Sequence, residues 1–185
     1  MGRSAGTDAT HPILGAGINC EGSGKEALSR VLTGIEVLLI GGDARQLEVI
    51  RELSNKDASV KLIGYDKLHG AIGGVTLAEL VPESFVGADA VVLPPVGTDE
   101  EGKVESLFSA RELVLGDAHV EHLPKHAKVY TGMAGTYLRD LCSRHQIEVV
   151  ELFERDDVAI FNSIPTAEGA LMLAIQNTDI TIHGS

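Results

Sequence analysis

The sequence has no tryptophan, and aromatic residues make up only 4% of its 185 positions. This scarcity argues against the stacked aromatic platforms that bind single-stranded nucleic acid. Basic residues are also few, because 15 Lys and Arg stand against 27 Asp and Glu and leave a net charge of −12. Such a charge repels phosphate backbones and anionic lipid headgroups. We therefore expect neither nucleic acid nor a membrane as partner, although a local basic pocket can still hold a small anion.

Cysteine and long apolar runs are scarce as well. Cys20 and Cys142 lie far apart and form no CxxC pair, and the histidines show no metal-ligand spacing. No apolar run approaches the roughly 20 residues of a membrane span. The first residues lack the hydrophobic segment of a signal peptide. These absences predict a reduced, cytoplasmic protein without a metal site.

Hydrophobic residues nevertheless make up 44% of the chain, enough for the core of one domain. Apolar segments predict five strands, at residues 35–40, 60–63 and 88–93, a fourth that ends at Val129-Tyr130, and a fifth at 147–150. Helical spacing follows the first strand from Asp43, which is placed to cap that helix, and a second helix is predicted from about Ala134 to Arg144. Strands that alternate with helices in this way predict an α/β fold with a parallel sheet and helices on both faces.

The two ends of the chain differ from this pattern. Residues 1–30 are rich in Gly, Ser, Ala and Thr and predict a flexible extension. Pro165 has the chemistry of a first helical position, and an apolar stripe continues to about Asn177. Residues 178–185 then resemble a turn that leads into a new strand. A helix of this type either connects two domains or docks on the sheet as an ordinary terminal helix.

The glycine-rich turn after the first strand does not predict a dinucleotide site. Its sequence, Gly41-Gly42-Asp43-Ala44-Arg45-Gln46, lacks the G-x-G-x-x-G spacing. Asp43 also places a negative charge where a pyrophosphate would meet the helix N-terminus. Arg45 is the better candidate, because it lies in the first helical turn at the carboxyl end of a strand and suits a small carboxylate. The alternative is that Arg45 pairs with a local acid such as Asp43 or Glu48.

A second polar cluster spans residues 153–168. Arg155 is a candidate second anion anchor, and Glu168 is a candidate base or orienting group. Neutral hydrogen bonds are available from Asn162, Ser163 and Thr166, and Ser163 or Thr166 can cap the final helix. The alternative is a solvated loop in which a neighbouring acid neutralises Arg155.

Several strings of the sequence resemble a known family, the A subunit of dipicolinate synthase. They are Leu32-Thr33-Gly34, the segment Ile40–Gln46, the segment Leu152–Ile160, the segment Asn162–Gly169 and the closing Thr181-Ile182-His183-Gly184-Ser185. The likeness covers about residue 31 onward. It implies an oxidoreductase of spore-forming bacteria that oxidises a dihydrodipicolinate-type precursor to dipicolinate with NAD or NADP. It also implies a flavoprotein-like partner, the B subunit of the synthase, and a place in the cytoplasm of the mother cell.

The resemblance further implies an architecture similar to that of 2-hydroxy-acid dehydrogenases. Residues 1–30 are then a flexible extension, 31–164 a flavodoxin-like, Rossmann-like substrate domain, and 165–185 a linking helix and the start of a Rossmann domain absent from this chain. Family members continue past Ser185 into a true G-x-G-x-x-G, so we expect no cofactor on this fragment and no hydride transfer by it alone. Val31 falls where the family's initiating Met would be, which marks the preceding residues as a leader or a start-site artefact.

A substrate with two carboxylates needs two anion anchors, and we infer a clamp formed by Arg45 and Arg155. The predicted substrate-binding residues are Gly42, Asp43, Arg45, Arg155, Asn162, Ser163 and Thr166, with Glu168 as catalytic candidate. The alternative function is a stand-alone flavodoxin-like module that binds an anion or contacts a subunit without catalysis. The sequence leaves a homo-oligomer open. An FMN-binding flavodoxin is disfavoured, because the first turn lacks a Ser/Thr-rich phosphate loop.

Overall fold

Short segments rich in Val, Ile and Leu form the strands of this protein. The computed structural model describes residues 31–68 and 73–178, so the predicted extension 1–30, the segment 179–185, and His69 lie outside the described residues. The strands are β1 (Glu36–Ile40), β2 (Ser59–Ile63), β3 (Val75–Ala78), β4 (Ala90–Val92), β5 (Lys103–Val104), β6 (Leu113–Val114), β7 (Lys128–Thr131) and β8 (Glu148–Glu151). Six of them make one sheet in the order β3-β2-β1-β4-β7-β8, and every neighbouring pair is parallel.

Helices cover both faces of this sheet. They are α1 (Ala44–Asn55) on one face, and α2 (Asp117–Val120) and α3 (Thr136–His145) on the other. A further helix, α4 (Asp156–Asn177), follows the last strand and has no buried residue. Along β1, Leu39 packs on the side of α1, whereas Leu38 packs on the side of α2 and α3. The five predicted strands correspond to β1, β2, β4, β7 and β8. Strands buried on both faces, such as β1, appear in a sequence as continuous apolar runs. β8 is instead an edge strand without a buried residue. The predicted α/β fold is confirmed.

Strand β3 and the antiparallel pair β5–β6 were not predicted, because two to four residues are too short to show a period. The loop that joins β5 to β6 matters for the site. We call its residues 105–110 the strap, since they cross the carboxyl ends of β1 and β2. Leu107 N–H donates to the Gly42 carbonyl, Ser106 Oγ donates to the Gly64 carbonyl, and Lys67 N–H donates to the Phe108 carbonyl.

Helix α4 corrects the predicted start of the final helix. It begins at Asp156, well before Pro165, and Pro165 lies inside it. Acidic residues suit a first helical turn, and Asp156 and Asp157 occupy it here. Ser163 and Thr166 are therefore not caps: Ser163 Oγ donates to the Ile160 carbonyl and Thr166 Oγ1 donates to the Asn162 carbonyl. The polar segment 153–168, for which a solvated loop was the alternative, is mostly helix.

Within the described ranges, α4 is the one helix that is long and apolar enough to cross a membrane. Polar residues such as Asn162, Thr166 and Glu168 interrupt it, so it contains no uninterrupted apolar run near 20 residues, and the sequence pattern did not indicate a segment of this kind. Length and composition alone do not distinguish a membrane span from a helix that protein covers.

The close approach of Gly41 to the strap allows a test of the fold. Gly41 has a φ of 63°, and a Cβ there would lie 2.6 Å from the Glu105 carbonyl oxygen. Gly34 has a φ of 84°, and a Cβ there would meet nothing within 4 Å. We expect Gly34→Ala to lower the free energy of unfolding by about 1–2 kcal/mol through its backbone alone. Gly41→Ala should cost a further ~1–3 kcal/mol through overpacking. Equal losses in urea denaturation would contradict the contact with the strap.

Candidate functional site

The carboxyl ends of all six parallel strands meet at one edge of the sheet. Ligands of open α/β sheets bind at this edge, beside the point where the strand order reverses. Here the reversal falls between β1 and β4, because the chain moves outward from β1 to β2 and β3 and then returns to the other side of β1. Asp43 and Arg45 follow β1, and Arg155 follows β8, so these predicted residues lie at this edge.

Gly42 connects β1 to the strap. Its N–H donates to the Glu105 carbonyl at 2.8 Å, and its own carbonyl accepts from Leu107 N–H at 3.0 Å. The backbone of Gly42 therefore holds the strap in place. Its predicted role in binding substrate stays a prediction, and any such role must use an atom other than this N–H.

Asp43 and Arg45 form a local ion pair. The Asp43 carboxylate accepts from Arg45 N–H at 2.8 Å, which caps α1 as predicted. It also accepts from Nε at 3.0 Å and from Nη2 at 2.6 Å of the same residue. These side-chain hydrogen bonds hold the pKa of Asp43 below its ordinary value. Arg45 therefore pairs with a local acid, Asp43, which is the alternative that the sequence left open.

Arg155 repeats this arrangement at the end of β8. Its Nε donates to Asp157 Oδ1 at 3.0 Å and its Nη2 donates to Asp157 Oδ2 at 2.7 Å. These side-chain hydrogen bonds hold the pKa of Asp157 below its ordinary value. More than half of the Arg155 side chain is exposed, and the Arg45 side chain is more exposed still. Both guanidinium groups thus bind a carboxylate in the planar two-donor geometry, on the solvent side of the sheet edge.

The predicted residues form two groups rather than one cluster. Strands β4 and β7 lie between β1 and β8. At the usual ~4.8 Å between neighbouring strands, the ends of β1 and β8 are about 14 Å apart. Asn162, Ser163, Thr166 and Glu168 are exposed residues of α4. Glu168 lies about 18 Å along the helix axis from its first residue, at 1.5 Å per residue.

The anchoring of the strap was not predictable from the sequence pattern. Tyr65 donates its hydroxyl to the Gly41 carbonyl at 2.8 Å and stacks on Phe108, with ring centroids 5.6 Å apart. Burial raises the pKa of Tyr65 well above its ordinary value. The Asp66 carboxylate accepts from Ala110 N–H at 2.7 Å. Tyr65-Asp66 follows a strand at the position where a Rossmann domain keeps its ribose-binding acid, but without a glycine fingerprint that position alone gives little information. The strap itself is too irregular to recognise in the sequence.

The loops that fill the edge between the two arginines were not predicted either. Thr131 Oγ1 donates to the Pro94 carbonyl at 2.7 Å, and Met133 N–H donates to the Pro95 carbonyl at 2.7 Å. The Thr98 hydroxyl is buried and finds no hydrogen-bond partner among the residues that the structure describes. Glu151 accepts from Ala134 N–H and pairs with Arg139. No motif marks these loops, since each contact joins distant parts of the chain.

A groove of about 740 Å³ opens further along the same edge, between the ends of β2 and β3 and the β5–β6 hairpin. Its lining includes Leu77, Glu79, Arg111 and His119. None of the predicted binding residues lines it. Over residues 31–68 and 73–178, no group of three or more His, Cys, Asp or Glu could hold a metal ion. Cys142 is buried, and burial raises its pKa to about 11, as expected for a core residue rather than a nucleophile.

The sheet order, the helices on both faces and the polar carboxyl edge define an open α/β domain of the Rossmann-like kind. The family model for the N-terminal domain of the dipicolinate synthase A subunit matches residues 36–153. The chain belongs to this family, and the resemblance found in the sequence is confirmed.

Individual relatives agree with this assignment. The chain is 44% identical to the dipicolinate synthase A subunit of Bacillus subtilis (strain 168) over 155 residues, which cover 84% of this chain and 52% of that protein. The crystal structure of the dipicolinate synthase A subunit from Bacillus halodurans matches with a TM-score of 0.80 and 50% identity, over 84% of this chain and 53% of that one. The Bacillus subtilis crystal structure also gives a TM-score of 0.80, at 44% identity, over 84% and 52% of the two chains. The chain thus spans about half the length of these relatives.

The double role of Asp43 predicts a stepwise loss of stability. Asp43→Ala removes both the cap and the ion pair and should cost about 1 kcal/mol through the cap alone. Asp43→Ser keeps a capping oxygen and should cost less. Because the pKa of Asp43 lies below its ordinary 3.8 in the folded state, its contribution is complete above that value and is lost as the pH falls through the folded value. Urea denaturation at several pH values checks this. A wild-type advantage over Asp43→Ser that stays constant from neutral pH down to the lowest pH at which both variants fold would contradict it.

Proposed function

We propose that this chain is the substrate-side domain of a dipicolinate synthase. The longer enzyme would oxidise a dihydrodipicolinate-type precursor to dipicolinate, with NAD or NADP as hydride acceptor, in the mother-cell cytoplasm of a sporulating bacterium. Family membership supports the reaction class. The observation that carries the proposal for this half is that Arg45 and Arg155 both lie at the carboxyl edge of the sheet, each already holding a carboxylate in planar geometry.

The two ion pairs indicate how a dicarboxylate would bind. Arg45 and Arg155 each bind an aspartate that is two residues away in the sequence and lies near solvent. Exposed pairs of this kind contribute little to stability, so a substrate carboxylate can replace the aspartate at small cost. Their strand ends lie about 14 Å apart, and two long side chains can span much of that distance. A small diacid would then lie across the loops that follow β4 and β7.

The nicotinamide cofactor fits the second half of the family's longer chain better than the described residues. Gly42 N–H is already used by the strap, and the Asp43 carboxylate occupies the N-terminus of α1. Both features oppose a pyrophosphate at this turn. When bound elsewhere, the cofactor supplies the hydride acceptor. This chain would supply the carboxylate anchors Arg45 and Arg155. Asn162, Ser163, Thr166 and Glu168 form the second group, on α4, and their roles as neutral hydrogen-bond partners and as base stay predictions.

The family model ends at residue 153 and α4 begins at Asp156, so we place the end of the substrate domain just before α4 rather than at Pro165. The relatives are named as one subunit of a synthase, which implies a second subunit, and we propose the flavoprotein-like B subunit for this partner. A stand-alone module that binds an anion or a subunit without catalysis is the second candidate.

Dipicolinate binding tests the arginine clamp. We define the extended chain as residues 1–185 joined to the second half of the Bacillus subtilis relative. Calorimetric titration of dipicolinate into the extended chain should show that Arg45→Ala and Arg155→Ala each weaken binding by ~10-fold or more, the scale of a lost charged hydrogen bond. Asp157→Asn should tighten binding, because it removes the carboxylate that competes for Arg155.

Arg51→Ala is the matched control, since Arg51 lies on α1 like Arg45 and also pairs with a local acid, Glu48. It removes the same charge and should leave affinity unchanged. If all three arginine variants weakened dipicolinate binding equally, the effect would depend on net charge alone, and the clamp would be contradicted. Dipicolinate binding without precursor-dependent reduction of the nicotinamide would favour the stand-alone module.

A further inference from the structure

The groove between the ends of β2 and β3 and the β5–β6 hairpin plays no part in the proposed arginine clamp. Its volume of about 740 Å³ lies within the range of small-molecule sites. Leu77 and Val114 line it and stay 65% and 45% exposed, and Leu80 and Val81 continue the same wall. Apolar side chains that are left in water at a concave surface are typical of a ligand site. The groove therefore offers an apolar wall to the body of a small molecule.

Arg111 and Glu79 form a loose ion pair in the lining of this groove. Arg111 Nη1 lies 3.7 Å from Glu79 Oε1, and the two side chains are 81% and 75% exposed. This distance is too long for a hydrogen bond, and the Arg111 guanidinium donates none in the described part of the chain. Arg45 and Arg155, in contrast, each hold a carboxylate through short hydrogen bonds. A ligand can therefore separate Arg111 from Glu79 at little cost.

His119 adds an N–H donor to the lining of the groove. Gly116 N–H donates to its Nδ1 at 3.1 Å, so Nδ1 carries no proton and the ring proton lies on Nε2. The ring also packs against Phe85, with ring centroids 5.4 Å apart, and this contact holds its orientation. Nε2 finds no acceptor among the described residues. A half-buried N–H without an acceptor suits an oxygen atom of a ligand.

The charges around the groove favour a ligand that carries both signs. The charged side chains in its lining, apart from the imidazole, are Asp66, Glu79, Arg111 and Glu112. Glu112 already pairs with Lys103, and Asp66 accepts from a backbone N–H of the strap. A plain anion on Arg111 would leave Glu79 beside a like charge, and a plain cation on Glu79 would do the same to Arg111. A molecule with a carboxylate next to an ammonium group satisfies both side chains.

We propose that the groove binds an α-amino acid with a bulky apolar side chain. Its carboxylate accepts from Arg111 and from His119 Nε2, and its ammonium group donates to Glu79. Both charged groups of an α-amino acid sit on one carbon, so they are as close together as the side chains that they separate. The apolar side chain lies on Leu77 and Val114, and a small one would leave most of the groove in water. The proposal rests on the groove and not on the proposed reaction.

Three probes of matched shape test the charge pattern. L-phenylalanine carries both charges, hydrocinnamate lacks the ammonium group, and phenethylamine lacks the carboxylate. In NMR titrations of the 185-residue chain at neutral pH, L-phenylalanine should shift the amide signals of Leu77, Ala110 and Arg111. The other two probes should bind ~10-fold or more weakly, because each lacks one charged hydrogen bond. Equal or tighter binding of either probe, or no shift with L-phenylalanine near its solubility limit, would overturn the proposal.

Substitutions locate the site. Arg111→Ala, Glu79→Gln and His119→Phe should each weaken L-phenylalanine binding by ~10-fold or more, and the first two should leave the Tm unchanged because their side chains are exposed. Arg144→Ala and Glu83→Gln are matched controls, since they remove the same charges from side chains outside the groove. They should leave the affinity unchanged. If the controls weakened binding as much as Arg111→Ala and Glu79→Gln, net charge would explain the effect and the site would be wrong.

The same titration separates this site from the arginine clamp. None of the clamp residues lines the groove, so Arg45→Ala and Arg155→Ala should leave the affinity for L-phenylalanine unchanged. If they weakened it as much as Arg111→Ala does, the amino acid would bind at the carboxyl edge between the two arginines, and the proposal for the groove would be overturned. Loss of dipicolinate binding in the clamp variants, with L-phenylalanine binding intact, would support both sites independently.

Discussion

The parallel pairing on both sides of β1 determines where the polar groups of this domain lie. Because β2 and β4 run in the same direction as β1, their carboxyl ends meet at one edge, and the turns that follow them are forced together. The strap can then bond to Gly42 and Gly64 at the same time. Arg45 and Arg155 reach the same edge for this reason alone, although more than a hundred residues separate them in the sequence.

The ion pairs at this edge leave the site open to ligands. A buried arginine–aspartate pair is expensive to break, whereas an exposed pair exchanges readily with solvent. Asp43 also caps α1, so its carboxylate stays in place when Arg45 turns toward a ligand. Asp157 lies in the first turn of α4, where a negative charge is stabilised by the helix dipole. Each aspartate can therefore release its arginine without losing all of its own stabilisation.

Most of the sheet was predictable from sequence because its central strands are buried on both faces. β3 is an edge strand of four residues with exposed Thr76 and Leu77, and its pattern carries no such signal. The predicted start of α4 was wrong because proline is common at the beginning of helices, yet a mid-helix proline is tolerated here. The Asp43 cap was predictable from local chemistry. The strap was not, since its contacts depend on the tertiary fold.

Helix α4 shows why a domain boundary can be inferred from surface chemistry. Within the domain that contains the sheet, apolar side chains such as Leu138 and Leu141 on α3 are fully buried, so that core is complete without α4. Helix α4 adds nothing to this core, although seven of its large apolar side chains are more than half exposed, and this supports a domain boundary before α4.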